Sequence, residues 1–549
     1  MKIFRLYQTV SCLKLSQVFY RLYYRYFKLK LFDNHEAKIK LTGFNSDLSL
    51  PRRTYIGGEI VKGDCATFLN ETRDISSIDV WNDKTIPKLW LYNLHYLDFL
   101  NSKNENLTLP EAKKYLKRWI LENAHGKGNG WEPYTLSLRV VNIVKFLSAN
   151  TIDDNHIQTS LYVQVDALSK QIEYHILANH IFANAKALIF AGVYFNKYGQ
   201  EFLDLGLKIM DRELEEQFNS DGAHFELSPM YHSILVWDLL EIIELARRSN
   251  NPYLLSRLEL YEATCISGII WLKNIVHTDG SIPLFNDSAH GIAPTLDQIV
   301  SFARCLSVYT DFNLNFDSRN TSGLSSCCIG ECKLILNHAN IEPSYQPGHA
   351  HADTFSFEVS LFGVCLIVNS GVSQYGVSKQ RLIERSTSSH NTLVYKNINS
   401  SDVWSGFRVG ARARVFDINY SQSANSYHFM ASHDGYCRIN KGCVHTRTWD
   451  LNNENLTVKD ILRKSEKGDA EIHYHFHPDI TLRVVSKYQI DCIFKNNTIT
   501  SISIGNGSFE ILDYKYKSGF GLSVDAFKIV IYPINVDAET TFSLRLNND

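Results

Sequence analysis

Between roughly residues 85 and 315, apolar positions recur at spacings of three and four, as in "LPEAKKYLKRWILENAH", "TLSLRVVNIVKFLSA", "DLGLKIMDRELEEQF" and "SILVWDLLEIIELARRS". That period predicts amphipathic helices joined by short loops. Beyond about residue 325 the runs become short, β-branched and bounded by Gly, Asn or Asp: "CKLILNHA", "VCLIVNSG", "ARVFDI", "ITLRVVSKYQI", "TITSISIG", "FKIVIYPI". These predict strands of an antiparallel sandwich. The expected organisation is multidomain, α then β: a basic aromatic segment at 1–50, paired helices compatible with a toroid over 51–320, and a β-sandwich over 325–549.

One stretch departs from an ordinary strand. In "GHAHADTFSFEVSL", residues 348–361, an extended backbone would place His349, His351 and Asp353 on the face of Phe355, Phe357 and Val359. Such a face suits a metal, a catalytic dyad, or both. Its place where the helical pattern gives way to strands points to a site between domains.

Three further clusters carry polar groups where a core would be apolar. In "EYHILANHIFANAKALIFAGVYF", His175 and Asn179 are four apart, as are His180 and Asn184. Each pair would stack along a helix, either as a satisfied core network or as part of a site. In "DGAHFELSPMYHSILVWDLL", Ser228 and Pro229 read as an N-cap and first helical residue, placing Tyr231 in the first turn. There the helix dipole would modestly lower a tyrosine pKa from about 10, unless the ring only packs. In "RSTSSHNTLVY", His390 joins His349 and His351 as a candidate metal ligand.

Composition narrows the partners. The net charge of -2 and pI near 6.9 exclude a generally basic nucleic-acid binder. Eleven scattered cysteines show no paired metal-ligand spacing and read as free thiols. Residues 1–50 carry nine Lys or Arg against three Asp or Glu, interleaved with Tyr and Phe. This segment reads either as a peripheral membrane contact on anionic lipid or as a helix packed on the body with its basic face solvated. Lys and Arg break every apolar run there, so no signal-peptide pattern is seen; the expected location is cytoplasmic or membrane-peripheral, with periplasmic the alternative.

In order along the chain, "LWLYNLHYLDFL", "GWEPYTLSLRVVN", "LANHIFANAKALIFAG", "DGAHFELSPMYH", "PLFNDSA", "GHAHADTFSFEVSL" and "RSTSSHNTLV…SSDVWSGFRVGARARV" resemble the heparinase II/III-like polysaccharide lyases. The resemblance implies an incomplete α/α toroid followed by an antiparallel β-sandwich. It implies β-elimination on a uronic-acid-containing polysaccharide, an acidic partner, and a link to surface-polysaccharide production is expected. By the same resemblance Asn179, with His180 beside it, neutralises the substrate carboxylate, Tyr231 transfers a proton, and His349 does base or acid work. Tyr375 and Glu226 are secondary candidates for touching substrate.

The resemblance also implies a structural zinc on His351 and His390, and no organic cofactor. Asn369 stands where the family has an aspartate, and a neutral amide is a poorer zinc ligand than a carboxylate, so weak or absent zinc is expected, with Asn369→Asp raising it. Two other readings remain: a glycan-binding or assembly protein with a weakened site, and a hydrolase using Glu226 and Asp287 as paired acids.

Overall fold

A computed structural model describes residues 2–26, 47–55, 59–61, 64–102, 107–152, 154–308, 321–464, 469–534 and 540–545. The helical half follows the three-and-four pattern. Helix Ala178–Phe195, nearly all of it buried, lies against Pro133–Asn150, Gln200–Gln217 and Pro229–Ser249. It approaches its neighbour closely because Gly192 has no side chain: a Cβ there would sit 2.6 Å from that of Leu203. The apolar faces of these helices form one continuous core. Sequence periodicity missed a three-stranded antiparallel sheet over Glu59–Asp74, which caps the helical region.

After helix Leu296–Cys305 the chain is almost entirely β. An eight-stranded sheet and two four-stranded sheets share a second core. Strands Val444–Asn452 and Asn455–Arg463 alternate buried and part-exposed residues, as strands covered on one face must. The architecture is an α/α toroid followed by a β-sandwich. Among the described residues, no helix is long and apolar enough to cross a membrane, and none of the eleven cysteines is in a disulfide.

The two halves meet through small apolar clusters and through buried polar contacts. Glu358, on strand Phe357–Leu361, accepts from His277 Nε2 at 2.7 Å and from the Leu284 backbone N–H at 2.8 Å. His277 and Leu284 lie just beyond helix Leu258–Ile275, so one carboxylate receives the end of the helical domain on the sheet.

Candidate active site

The strand expected over residues 348–361 begins only at Phe357, and the histidines precede it in a loop. Phe355 breaks the extension with φ 66°. Comparable residues flank other site segments: Leu177 and Ala178 (φ 70° and 55°) before Asn179, Leu227 (φ 52°) before Ser228, and Asn286 (φ 53°) before Asp287. A bulky residue with positive φ is costly and persists only where surrounding structure holds it. Sharp turns thus aim side chains that a regular strand or helix could not bring together.

Helix Pro229–Ser249 starts as expected, with Ser228 Oγ accepting from the Tyr231 backbone N–H. The Tyr231 ring lies over the His349 ring at 4.1 Å between centroids, and its hydroxyl is 3.1 Å from that of Tyr375. Helical and β domains therefore each supply one member of the central pair. The expected lowering of the tyrosine pKa does not occur. Burial, followed by the neighbouring Tyr375, pushes Tyr231 well above the ordinary value, outweighing the helix dipole.

Asp287 orients the imidazole. Its Oδ2 lies 2.8 Å from His349 Nδ1 and its Oδ1 2.8 Å from His351 Nε2, while Arg381 grips both oxygens, one at 2.6 Å. Burial alone would raise this carboxyl, but Arg381 and the two histidines hold it well below the usual carboxylate range. An ionised Asp287 only accepts, so His349 carries its proton on Nδ1 and presents an Nε2 lone pair. Burial also lowers the His349 pKa, keeping the ring neutral. Asp287 cannot act as one of two hydrolytic acids, because both its oxygens are already committed.

Asn179 sits in the first turn of helix Ala178–Phe195, at the positive end of the helix dipole. It is buried, and its Oδ1 finds no protein partner. His180 Nδ1 lies 3.0 Å from Glu173, and its ring meets Tyr134 at 4.5 Å. The paired-stacking expectation divides here. Asn184 is the satisfied core amide, bonded to Glu173 and Ser137, whereas His175 lies outside the helix, which begins at Ala178.

Glu226 is 1% exposed, and neither of its oxygens is hydrogen-bonded. His224 Nδ1, 3.8 Å away, is too far for a hydrogen bond. Burial, then Asp287, raises Glu226 to about 8, so at neutral pH it is a protonated acid.

His351, Asn369 and His390 come together, but as a chain. Asp287 accepts from His351 Nε2, and Asn369 Oδ1 accepts from His390 Nδ1 at 2.9 Å. The remaining nitrogens, His351 Nδ1 and His390 Nε2, face each other at 3.2 Å. Burial lowers the pKa of both rings, so two neutral imidazoles meet there. As zinc ligands they are two of the four required. Asn369 does not add a third: its Oδ1 serves His390 and Ser356, and its Nδ2 donates to Glu358 at 2.8 Å. Among the described residues, no three His, Cys, Asp or Glu groups could hold a metal. The residues present therefore do not fit a closed zinc site.

Sequence reasoning did not single out Arg381 or Phe407. Arg381 lies in the short helix Lys379–Glu384, and its only sequence signal was proximity to "RSTSSHN". Phe407 closes the wall beside Tyr375 and His349, at 5.5 and 6.3 Å between ring centroids.

Comparison with known proteins gives matches along most of the chain. The family model described as Heparinase II/III N-terminus matches residues 81–313, and the one described as Heparinase II/III-like, C-terminal matches residues 317–543. A heparin-sulfate lyase from Pedobacter heparinus is 26% identical over 263 residues, covering 44% of this chain and 39% of that protein. A heparin-sulfate lyase from Bacteroides stercoris is 22% identical over 335 residues, covering 55% of this chain and 46% of that protein. The matched portion thus spans less than half the length of either relative. The crystal structure of heparinase III aligns with a TM-score of 0.68 at 16% identity, covering 85% of this chain and 79% of that one, which is a likeness of fold.

Proposed function

We propose that this chain, which belongs to the heparinase II/III-like family, is a polysaccharide lyase that cleaves a uronic-acid-containing polysaccharide by β-elimination. The observation that carries this reading is the Tyr231 and His349 pair, in ring contact across the domain boundary with the imidazole locked so that Nε2 is its free base. The relatives matched in sequence, both heparin-sulfate lyases, support it.

In this reading Asn179, at the helix N-terminus, meets the substrate carboxylate and accepts the charge that grows there as C5 loses its proton. His349 Nε2 takes that proton. The electron pair forms the C4–C5 double bond, the C4–O4 bond breaks, and the Tyr231 hydroxyl protonates the departing O4. A tyrosine kept neutral by burial suits an acid, and a neutral imidazole suits a base. The imidazolium then returns its proton to the Tyr231 phenolate, restoring both groups. No step runs through a metal.

The test is incubation with a panel of acidic polysaccharides while following the ultraviolet absorbance of an unsaturated uronate. We expect the chromophore from at least one uronate polymer, and a loss of about a hundredfold or more in Tyr231→Phe and in His349→Ala, the scale of a missing acid or base. New reducing ends without the chromophore would mean hydrolysis, and binding without cleavage would mean a glycan-binding role.

A further inference from the structure

Helices Lys2–Val10 and Leu15–Tyr26 are docked the wrong way round for a soluble protein. A surface helix ordinarily turns its apolar stripe to the core. Here polar groups hold the helices to the body. Arg5 pairs with Asp402 at 2.7 and 2.8 Å, Thr9 accepts from Trp404 Nε1 at 3.1 Å, Lys14 pairs with Glu216, and the Tyr24 hydroxyl donates to the Ile172 carbonyl at 2.6 Å. Gln17, on the same side as Tyr24, is buried.

The opposite side is apolar and open. Ile3, Phe4, Tyr7, Leu15, Phe19 and Tyr26 are 60–89% exposed. Leu15, Phe19, Leu22 and Tyr26 follow one another at spacings of four, three and four, a single stripe along the second helix. Arg21 and Arg25, also four apart and both exposed, flank that stripe. Residues 1–26 contain five Lys or Arg and no Asp or Glu.

We propose that this face is a docking surface for an anionic lipid bilayer, with the apolar and aromatic stripe entering the interface and Arg21 and Arg25 reaching the headgroups. Charge decides against a second copy of the chain. Two such faces would bring like charges together, and neither helix holds an acid to meet them. Of the two sequence alternatives for the segment, this is the contact with anionic lipid, in a form that combines it with the other: the helices do pack on the body, yet what they leave in solvent is chiefly their apolar side.

The position adds a consequence for the site. The first helix rests on the strand pair Val403–Trp404 and Arg408–Val409, whose turn carries Phe407 beside His349. The second rests on the segment before Asn179, with Tyr24 on the Ile172 carbonyl and the Tyr20 ring against that of Tyr174. The helices thus touch both the turn that carries Phe407 and the segment that leads to Asn179, and docking would hold these two segments near the lipid surface.

The proposal does not depend on the lyase reading, and its test needs no activity. The full chain is mixed with phosphatidylcholine vesicles, with and without phosphatidylserine, and bound protein is separated by flotation. We expect binding at least tenfold tighter to the anionic vesicles, a loss of at least tenfold in Arg21→Glu with Arg25→Glu, and a similar loss in Leu15→Ser with Phe19→Ser, at unchanged melting temperature. If the serine variant misfolds, the charge-reversed variant, altered only at exposed arginines, decides. Absence of binding to both vesicles, binding insensitive to lipid charge and to the arginine changes, or a native dimer that the serine variant converts to monomer would each overturn it.

Discussion

Asp287 spends every lone pair it has on orientation, which makes its replacement informative. Asp287→Asn would leave Arg381 buried without its counter-charge and let the imidazole choose the other tautomer. We expect kcat to fall by about a hundredfold or more with KM little changed, together with a stability loss of about 3–5 kcal/mol for the broken buried pair. A parallel rise in KM would instead place Asp287 on the substrate. Glu226 offers a second measurement. Its pKa is raised from 4.5 to about 8, so between those values the folded protein keeps a proton that the unfolded chain releases. Stability from this group is complete below the lower value and declines toward the upper one, by about 1.4 kcal/mol per pH unit. Glu226→Gln removes the titration, so its melting temperature should fall less steeply than the native protein's from about pH 5 to 8. The residue types at the site were legible in the sequence, since histidine, tyrosine and asparagine stood out against apolar runs. Their ionisation was not. Helix position suggested an acidic Tyr231, and burial, invisible in one dimension, reversed the sign.

Among the elements, the loop between strands Cys332–Asn337 and Phe357–Leu361 and the short strand Val364–Ile367 together frame the question of the metal. A third ligand cannot be restored simply by writing an aspartate at position 369. Glu358 Oε1 lies 2.8 Å from Asn369 Nδ2 and 3.1 Å from its backbone N–H, with both residues buried. Asn369→Asp would set a second carboxylate against Glu358, and like charges so close cannot both ionise. The expected outcome replaces the one drawn from sequence: a lower melting temperature and no gain in bound zinc, read by calorimetry and elemental analysis of protein purified without chelator. Zinc at one per chain in either protein would contradict it. Apart from the small sheet over Glu59–Asp74, the helical and β regions followed from period, and helix Pro229–Ser249 even from its cap. The turns did not, because residues such as Leu177 and Phe355 take positive φ against their own preference and only tertiary packing can enforce that.

At the scale of the molecule, two large apolar cores meet at a seam where buried polar contacts around Glu358 lie between small apolar clusters, such as Met230 and Tyr231 against Val372 and Phe520. Removing its centre with Glu358→Ala would strand His277, the Leu284 N–H and the Asn369 amide, each buried donor costing about 1–3 kcal/mol. We expect scanning calorimetry to resolve two transitions where the native protein gives one, and Glu358→Gln, which keeps an acceptor, to restore much of the coupling. A single transition at an unchanged temperature would show that the cores are joined by other means. The order α then β was plain from the switch in apolar period near residue 325. What joins the halves was hidden, since Glu358 looks in sequence like any strand glutamate, and its partners lie 74 and 81 residues away.

The grip of Arg381 on Asp287 also bears on how this site changes over generations. Losing either partner alone strands a buried charge, a cost of about 3–5 kcal/mol against a total stability of about 5–15 kcal/mol. A lineage released from any demand for activity would therefore still be held to the pair by the need to fold. Decay of function should begin elsewhere, at Tyr375 or Asn179, which carry no such debt. The arginine and the aspartate should disappear only together, in a compensated double step.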